Sequence, residues 1–207
     1  MYVRVLDFDA GAADEVRHAV DSLLNLPGVE PAGVILDLRG NPGGLFTEAY
    51  RTAGIFLETG KFIVGTDGRS RWNEETHSAN YRDLTNGLPM AVIVNHGSAS
   101  SAEIVAGSLQ QAGRAILVGD TTFGKGLVQG FIGFPDGDGI RLTISRYYFE
   151  NNVYLNRFDS TLVDSGSGLA PDHYYRYPEL DPYVRTLENS LLMQDFVYRN
   201  LAAVLAE

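Results

Sequence analysis

A serine and a lysine 25 residues apart are the side chains in this sequence best placed for joint chemistry. Ser100 follows an apolar run at 90–94 and precedes an apolar stretch with helical spacing, which predicts a strand, a turn and a helix. The hydroxyl would then lie at a helix N-terminus, where unpaired backbone N–H groups can stabilise a developing oxyanion. Lys125 lies between Gly124 and Gly126, which let the backbone fold tightly and turn the amine inward. The pattern therefore offers a hydroxyl nucleophile and an amine base.

The motifs around this pair resemble those of the C-terminal processing peptidases, also called tail-specific proteases, which use a Ser/Lys dyad. The turn reads Ser-Ala-Ser-Ser-Ala-Glu at 98–103, the lysine stands in Thr-Phe-Gly-Lys-Gly at 122–126, and a glutamine follows at 129. The remaining matches are Asp-Leu-Arg-Gly-Asn-Pro-Gly-Gly at 37–44, Ser-Arg-Tyr-Tyr at 145–148 and Gly-Leu-Ala-Pro-Asp at 168–172. Their order and spacing make the chain similar to this family over about residues 1–175.

The resemblance implies a role for each of five residues. Ser100 would attack a peptide carbonyl, and Lys125 would act first as general base and then as general acid. Gln129, four residues further along a predicted strand, would share the face of Lys125 and orient its amine. The backbone N–H groups of Gly44 and Ser101 would hold the oxyanion. Ser101 stands where the family has alanine, and this change should be harmless because the donor there is a backbone group.

The lysine also has an alternative interpretation as part of a phosphate-binding loop. Residues 119–125 match most of the pattern G-x-x-x-x-G-K. The match fails at its end, because residue 126 is glycine where Ser or Thr would ligate magnesium. A strand-like segment follows, rather than a helix that could offer its N-terminus to a phosphate. We therefore favour the catalytic interpretation of Lys125.

Simpler structural roles exist for other residues in these motifs. A serine at the start of a helix is often only a cap, and Gln129 could be a polar side chain at a strand edge. Asp37 and Arg39 are expected to order the loop before Gly44 rather than to react. The histidines show no ligand spacing, and His96 lies too close before Ser100 on the same turn to serve as its base.

Composition narrows the classes of function further. The chain has 207 residues, with 16 Lys and Arg against 26 Asp and Glu, and its formal net charge is −10. Without a basic run, nucleic acid and anionic membrane surfaces are poor partners. There is no cysteine, which excludes disulfides and thiolate metal sites, and we predict neither metal nor cofactor. We see no apolar segment long enough to span a membrane and no signal peptide.

The elements that must position these residues alternate between strands and helices. Apolar runs at 33–38 and 90–94 predict buried strands of a parallel sheet, and each is followed by a loop and a helix. We therefore expect an α/β domain with a mostly parallel sheet and an antiparallel portion near 127–148. The resemblance sharpens this expectation to the crotonase-like ββα spiral core.

Several element boundaries can also be predicted. The predicted elements are a strand at 2–8, a helix capped by Asp9, a hairpin turn at Asp67-Gly68, strands at 127–134 and 140–148, and a C-terminal helix beginning at Asp181-Pro182. Residues 149–178 are expected to be loop-like. We expect a peptidase core at 1–178 and a C-terminal helical extension at 179–207.

The resulting functional prediction is a serine endopeptidase that cleaves proteins near their C-termini through an acyl-enzyme intermediate. By resemblance, it would work outside the cytoplasm, in the periplasm or an equivalent compartment. The family carries a PDZ domain ahead of the core, which we do not find here, so we expect an excised core or a short relative. Two alternatives stay open, namely a crotonase-like acyl-CoA enzyme and an inactive peptide-binding module.

Overall fold

The computed structural model describes residues 1–135, 137–155 and 168–175. In these ranges the helices are α1 (Ala12–Leu24), α2 (Phe46–Ala53) and α3 (Ser101–Gln111). The strands are β1 (Tyr2–Arg4), β2 (Val34–Asp37), β3 (Phe62–Gly68), β4 (Thr76–Ser78), β5 (Met90–Val94), β6 (Ile116–Gly119), β7 (Leu127–Gly133), β8 (Gly139–Phe149), β9 (Val153–Tyr154) and β10 (His173–Tyr174). None of the described helices has the length and apolar content needed to cross a bilayer.

A parallel sheet carries the loops of the candidate site. Its strand order is β1-β2-β5-β6-β10, and every neighbouring pair is parallel. All residues of β2 and β5 are buried, as expected for central strands that read as continuous apolar runs. The carboxyl ends of β2 and β5 lie side by side, because Asp37 pairs with Ile93 in the register. The loops that follow these two strands therefore meet at one edge of the sheet.

A second, antiparallel sheet has the order β4-β3-β8-β7, with β9 paired to β8. Tyr147 and Phe149 of β8 are buried and pack edge to face, with ring centroids 5.9 Å apart. They share one apolar core with Ile104 and Val105 of α3 and with residues of the parallel sheet. Helix α3 therefore lies between the two sheets, and its N-terminus faces the loop that leads into β7.

The α/β class with parallel and antiparallel sheets is confirmed, and the predicted strands around 33–38, 90–94, 127–134 and 140–148 are present. One expectation was too simple. The antiparallel portion is a separate sheet that also takes in residues 62–78, rather than an extension of the parallel sheet. The apolar patterns gave the strands but not their partners, because pairing depends on contacts between distant segments.

Local boundaries differ from the prediction at four places. Helix α1 is capped by Gly11 in a left-handed conformation instead of Asp9, and β1 ends at Arg4. Asp67 and Gly68 lie inside β3, so the hairpin turn comes later, where a short 3-10 helix spans Arg71–Asn73. Strands β9 and β10 were not predicted, since two residues carry no alternation pattern. The C-terminal helix from Asp181 and the domain boundary at 178/179 lie outside the described residues.

Candidate active site

Ser100 stands at a strained turn between β5 and α3. Its backbone has φ 56° and ψ −115°, a left-handed region that L residues rarely adopt and that costs about 1–3 kcal/mol. Two hydrogen bonds hold the turn: Ala99 N–H donates to the Asn41 carbonyl at 2.9 Å, and Ser100 N–H donates to Glu103 Oε2 at 2.8 Å. Strain maintained in this way is typical of functional turns, and here it presents a serine at the start of a helix.

Ser98, two residues earlier, has a structural role. Its buried hydroxyl donates to the Leu38 carbonyl at 2.8 Å and accepts from Asn95 N–H at 3.0 Å. The Asn95 side chain in turn accepts from Gly40 N–H at 2.9 Å. These bonds tie the turn after β5 to the loop after β2. The serines of this turn are thus distinguished by their partners, which sequence alone does not reveal.

The loop after β2 is ordered by a buried ion pair. Arg39 donates to both oxygens of Asp37, from Nε at 2.9 Å and from Nη2 at 2.6 Å. Burial acts to raise the pKa of Asp37, but hydrogen bonds from Arg39 and Tyr2 and the Arg39 charge outweigh it and hold this pKa below its ordinary value. Asn41 completes the loop by accepting from Gly43 N–H at 2.8 Å. Asp37 and Arg39 therefore shape the loop, as predicted.

Two glycines let this loop pass close to the serine turn. A Cβ on Gly43 would lie 2.7 Å from Ser100 Cβ, and one on Gly44 would lie 2.4 Å from the Phe8 carbonyl oxygen. Both glycines have positive φ, 101° and 153°. Glycine is required at position 44 because the Phe8 backbone approaches it closely. The Ser101 hydroxyl bridges the same contact by donating to the Gly44 carbonyl at 3.1 Å.

Backbone donors at this contact are available to a ligand. Within the ranges the structure describes, the N–H groups of Gly44 and Ser101 have no hydrogen-bond acceptor, whereas the neighbouring Leu45 N–H donates to Phe8. The first N–H groups of a helix have no intrahelical partner, so the Ser101 donor is expected to be free. These two donors flank Ser100 and are suited to an oxyanion.

Glu103 links the serine turn to the lysine loop. Its carboxylate is fully buried and accepts hydrogen bonds from both segments and from β8. The donors are Ser100 N–H at 2.8 Å, Thr122 Oγ1 at 2.6 Å, Gly124 N–H at 2.6 Å, Lys125 N–H at 2.9 Å and Tyr147 OH at 3.3 Å. Burial and the Glu103 charge raise the pKa of Tyr147 well above its ordinary value, so this phenol stays a donor. Glu103 was visible in the sequence only as the last residue of a motif.

The structure brings the five predicted site residues to one cavity of about 500 Å³, which Ser100, Ser101, Gly44, Lys125 and Gln129 line. Lys125 is half-buried and Gln129 is exposed. No hydrogen bond joins the Ser100 hydroxyl, the Lys125 amine and the Gln129 amide in the described part of the chain. Lys125 precedes β7, and the register of β7 shifts between Val128 and Gln129, yet both side chains line this cavity.

A second cavity, of about 430 Å³, lies between α1 and α2. Its lining includes Arg17, Tyr50 and Tyr81, and Arg17 lies 5.6 Å from the centre of the Tyr81 ring. The lining contains none of the predicted site residues. The catalytic motifs therefore identify the cavity around Ser100 as the candidate active site.

Comparisons with known proteins show the family to which the chain belongs. Residues 1–172 match the model of peptidase family S41. The chain is 40% identical over 177 residues to a carboxyl-terminal-processing protease of Synechocystis sp., a match that covers 86% of this chain and 38% of that protein. It is 34% identical over 183 residues to a carboxy-terminal-processing protease of Bartonella bacilliformis, covering 88% of this chain and 40% of the relative.

A solved structure described as photosystem II D1 C-terminal processing protease gives the same result. It is 31% identical to this chain and superposes with a TM-score of 0.69, over 84% of this chain and 42% of that one. The chain thus spans about two fifths of the length of these relatives. The comparisons therefore bear on one part of a longer architecture.

Proposed function

This chain belongs to peptidase family S41, and from that premise we propose that it is the catalytic core of a serine endopeptidase that cleaves proteins near their C-termini. The observation that carries the proposal is the convergence on one cavity of a strained serine, a lysine and two backbone N–H groups that have no acceptor among the described residues. Acyl transfer requires a nucleophile, a base and an oxyanion site, and this cavity offers all three.

In the proposed mechanism, the Ser100 hydroxyl attacks the scissile carbonyl while the neutral Lys125 amine takes its proton. The tetrahedral oxyanion accepts hydrogen bonds from the N–H groups of Gly44 and Ser101. When the C–N bond breaks, the Lys125 ammonium returns the proton to the leaving amine, and the acyl group stays on Ser100 as an ester. Water, deprotonated by the same amine, then hydrolyses the ester and frees the hydroxyl.

The Lys125 amine must approach the Ser100 hydroxyl for this step. Catalytic hydrogen bonds are commonly long in unliganded enzymes and tighten when substrate binds. The amine has no hydrogen-bond or ion-pair partner among residues 1–135, 137–155 and 168–175, so no contact there holds it away from the serine. Ile104 and Leu127 line the same cavity and would shield the amine from water once a peptide fills it. Gln129 remains our candidate for orienting the amine.

The names of the relatives support the substrate class. They are carboxy-terminal-processing proteases from bacteria, together with chloroplastic peptidases of Tetradesmus obliquus and Arabidopsis thaliana. We infer that this protein likewise acts on protein C-termini, in an extracytoplasmic or lumenal compartment, and that its full-length form includes a PDZ domain. The fold refinement to a crotonase-like spiral core belongs to the same proposal.

A fluorophosphonate probe tests the proposal directly, because only an activated serine reacts with it. We expect one adduct per chain by intact-mass spectrometry, lost in Ser100→Ala and much slower in Lys125→Ala. The matched control is Lys61→Ala, since Lys61 is exposed and is the only other lysine in the chain. A wild-type chain that stays unlabelled and cleaves no unfolded protein would favour the acyl-CoA enzyme or the inactive binding module.

A further inference from the structure

One face of the hairpin formed by β7 and β8 is a wall of the catalytic cavity. Phe131 lies directly opposite Arg141 in the register, and Gln129 lies opposite Thr143. Side chains directly opposite each other share a face of the sheet, and Gln129, Phe131 and Arg141 all line the cavity. Ile132 and the residue opposite it point to the other face. The position of Arg141 in the wall is therefore set by strand pairing.

Arg141 is an exposed cation of the cavity wall that has no counter-ion among the described residues. The charged side chains that line the cavity are Asp9, Lys125 and Arg141. Asp9 follows Phe8, which pairs with Gly44, so this carboxylate lies at the oxyanion end of the cavity and not on the hairpin. Across the described ranges, the Arg141 guanidinium has no hydrogen-bond or ion-pair partner. In a chain of net charge −10, a cation that faces a cavity without a neutralising partner favours an anionic ligand.

We propose that Arg141 binds the terminal carboxylate of the peptide in the cavity, so that the catalytic core itself recognises a free C-terminus. The guanidinium fork matches a carboxylate with two parallel hydrogen bonds. Arg141 and Ser100 line the same cavity, so a peptide bound there can place its terminus at the guanidinium and its scissile bond at the hydroxyl. This inference rests on the proposed peptidase function.

The test uses three peptides that share one sequence and one scissile bond. The first has a free C-terminus, the second a C-terminal amide, and the third an amide with glutamate as its last residue. For the wild-type chain we expect kcat/KM on the free acid to exceed that on the amide about tenfold, the worth of one charge-assisted hydrogen bond. In Arg141→Gln the two rates should agree within about twofold. Arg69→Gln, which changes an exposed arginine outside the cavity lining, should keep the tenfold ratio.

Two results would overturn the role of Arg141: equal rates on acid and amide in the wild-type chain, or an unchanged ratio in Arg141→Gln. Cleavage of the glutamate amide as fast as the free acid would contradict recognition of the terminus as such. If no peptide is cleaved, the proposed function fails. The role of Arg141 can then still be tested by measuring peptide binding. Fluorescence anisotropy with Ser100→Ala should show tighter binding of the acid than of the amide, and the difference should vanish in the Ser100→Ala, Arg141→Gln double variant.

Discussion

Glu103 accepts a hydrogen bond of 2.9 Å from the backbone N–H of Lys125. The same oxygen, Oε2, accepts from the backbone N–H of Ser100 at 2.8 Å. One buried group therefore fixes the main chain of both proposed reacting residues, which are 25 positions apart in sequence. The geometry of the proposed dyad therefore depends on a side chain that takes no part in the proposed chemistry.

This relationship predicts that Glu103→Gln impairs positioning more than folding. The amide has one acceptor oxygen, so at least two buried N–H or O–H donors lose their acceptor, at a cost of about 3 kcal/mol in the free energy of unfolding. Because misplacement by about 1 Å can cost two orders of magnitude in rate, kcat/KM should fall about 100-fold. The two effects can be separated by urea unfolding and by fluorophosphonate labelling well below the melting temperature.

The matched control for Glu103→Gln is Glu150→Gln, which changes an exposed glutamate that is not part of the cavity lining. It should leave both the free energy of unfolding and the labelling rate unchanged. If the folded Glu103→Gln variant is labelled by the fluorophosphonate at the wild-type rate, Glu103 only stabilises the fold.

The three serines of the turn should respond differently to substitution. Ser100→Ala should abolish cleavage of an unfolded protein such as casein, while the free energy of unfolding changes by less than about 2 kcal/mol. Ser98→Ala removes one buried and one partly buried hydrogen bond and should cost about 1–3 kcal/mol, yet retain substantial activity. Ser101→Ala keeps its backbone donor and should also stay active. If Ser98→Ala or Ser101→Ala is the inactive variant, the nucleophile has been assigned to the wrong serine.

Strain at Ser100 makes a further prediction that does not depend on activity. Glycine adopts positive φ without a steric penalty, whereas alanine does not. Ser100→Gly should therefore be more stable than Ser100→Ala by about 1 kcal/mol, despite the greater flexibility of glycine in the unfolded chain. Thermal unfolding followed by circular dichroism measures the difference. A lower melting temperature for Ser100→Gly than for Ser100→Ala would mean that the turn relaxes in solution.

The buried pair of Asp37 and Arg39 predicts a pH-dependent contribution to stability. Because the pKa of Asp37 is held below its ordinary value of 3.8, the ionised pair stabilises the fold above that pH. This stabilisation is lost as pH falls through the folded-state pKa. Asp37→Asn leaves Arg39 without its counter-ion and should cost about 3 kcal/mol at pH 7. The difference in free energy of unfolding between the wild type and Asp37→Asn should become smaller as pH falls below 3.8.

Urea unfolding at pH 7, 5 and 3 measures this gap. The matched control is Asp21→Asn, which changes an exposed aspartate of α1 and should show no such trend. A gap between wild type and Asp37→Asn that stays constant down to pH 3 would show that the pair does not act through the charge of Asp37.

The sequence was most informative where function and local structure depend on neighbouring residues. Asp37 and Arg39 are two positions apart, and their role in ordering the loop could be predicted from the motif. Glu103 could not be assigned a role, because its partners Thr122 and Tyr147 are 19 and 44 residues away and meet it only after the sheets assemble. The strain at Ser100 was hidden for a similar reason, since it is imposed by contacts with the loop after β2.

In the fold, likewise, the strands could be predicted but their pairing could not. The runs that became β2 and β5 were predicted because each is apolar throughout. The two-residue β10 has no such signal, and its pairing with β6 joins two segments that are more than 50 residues apart. The shift in register between Val128 and Gln129 could likewise not be predicted, because it depends on the pairing of β7 with β8. Residue types thus predicted most of the elements, whereas tertiary contacts determine how the proposed reacting groups are oriented.

The final prediction separates Lys125 as a base from Lys125 as a positive charge. A base must lose its proton to act, and arginine stays protonated at every accessible pH. Lys125→Arg should therefore be as inactive as Lys125→Ala, with kcat/KM reduced at least 100-fold, while Lys61→Arg keeps wild-type activity. Appreciable cleavage by Lys125→Arg would mean that the residue serves as a cation, and the Ser/Lys dyad would have to be abandoned.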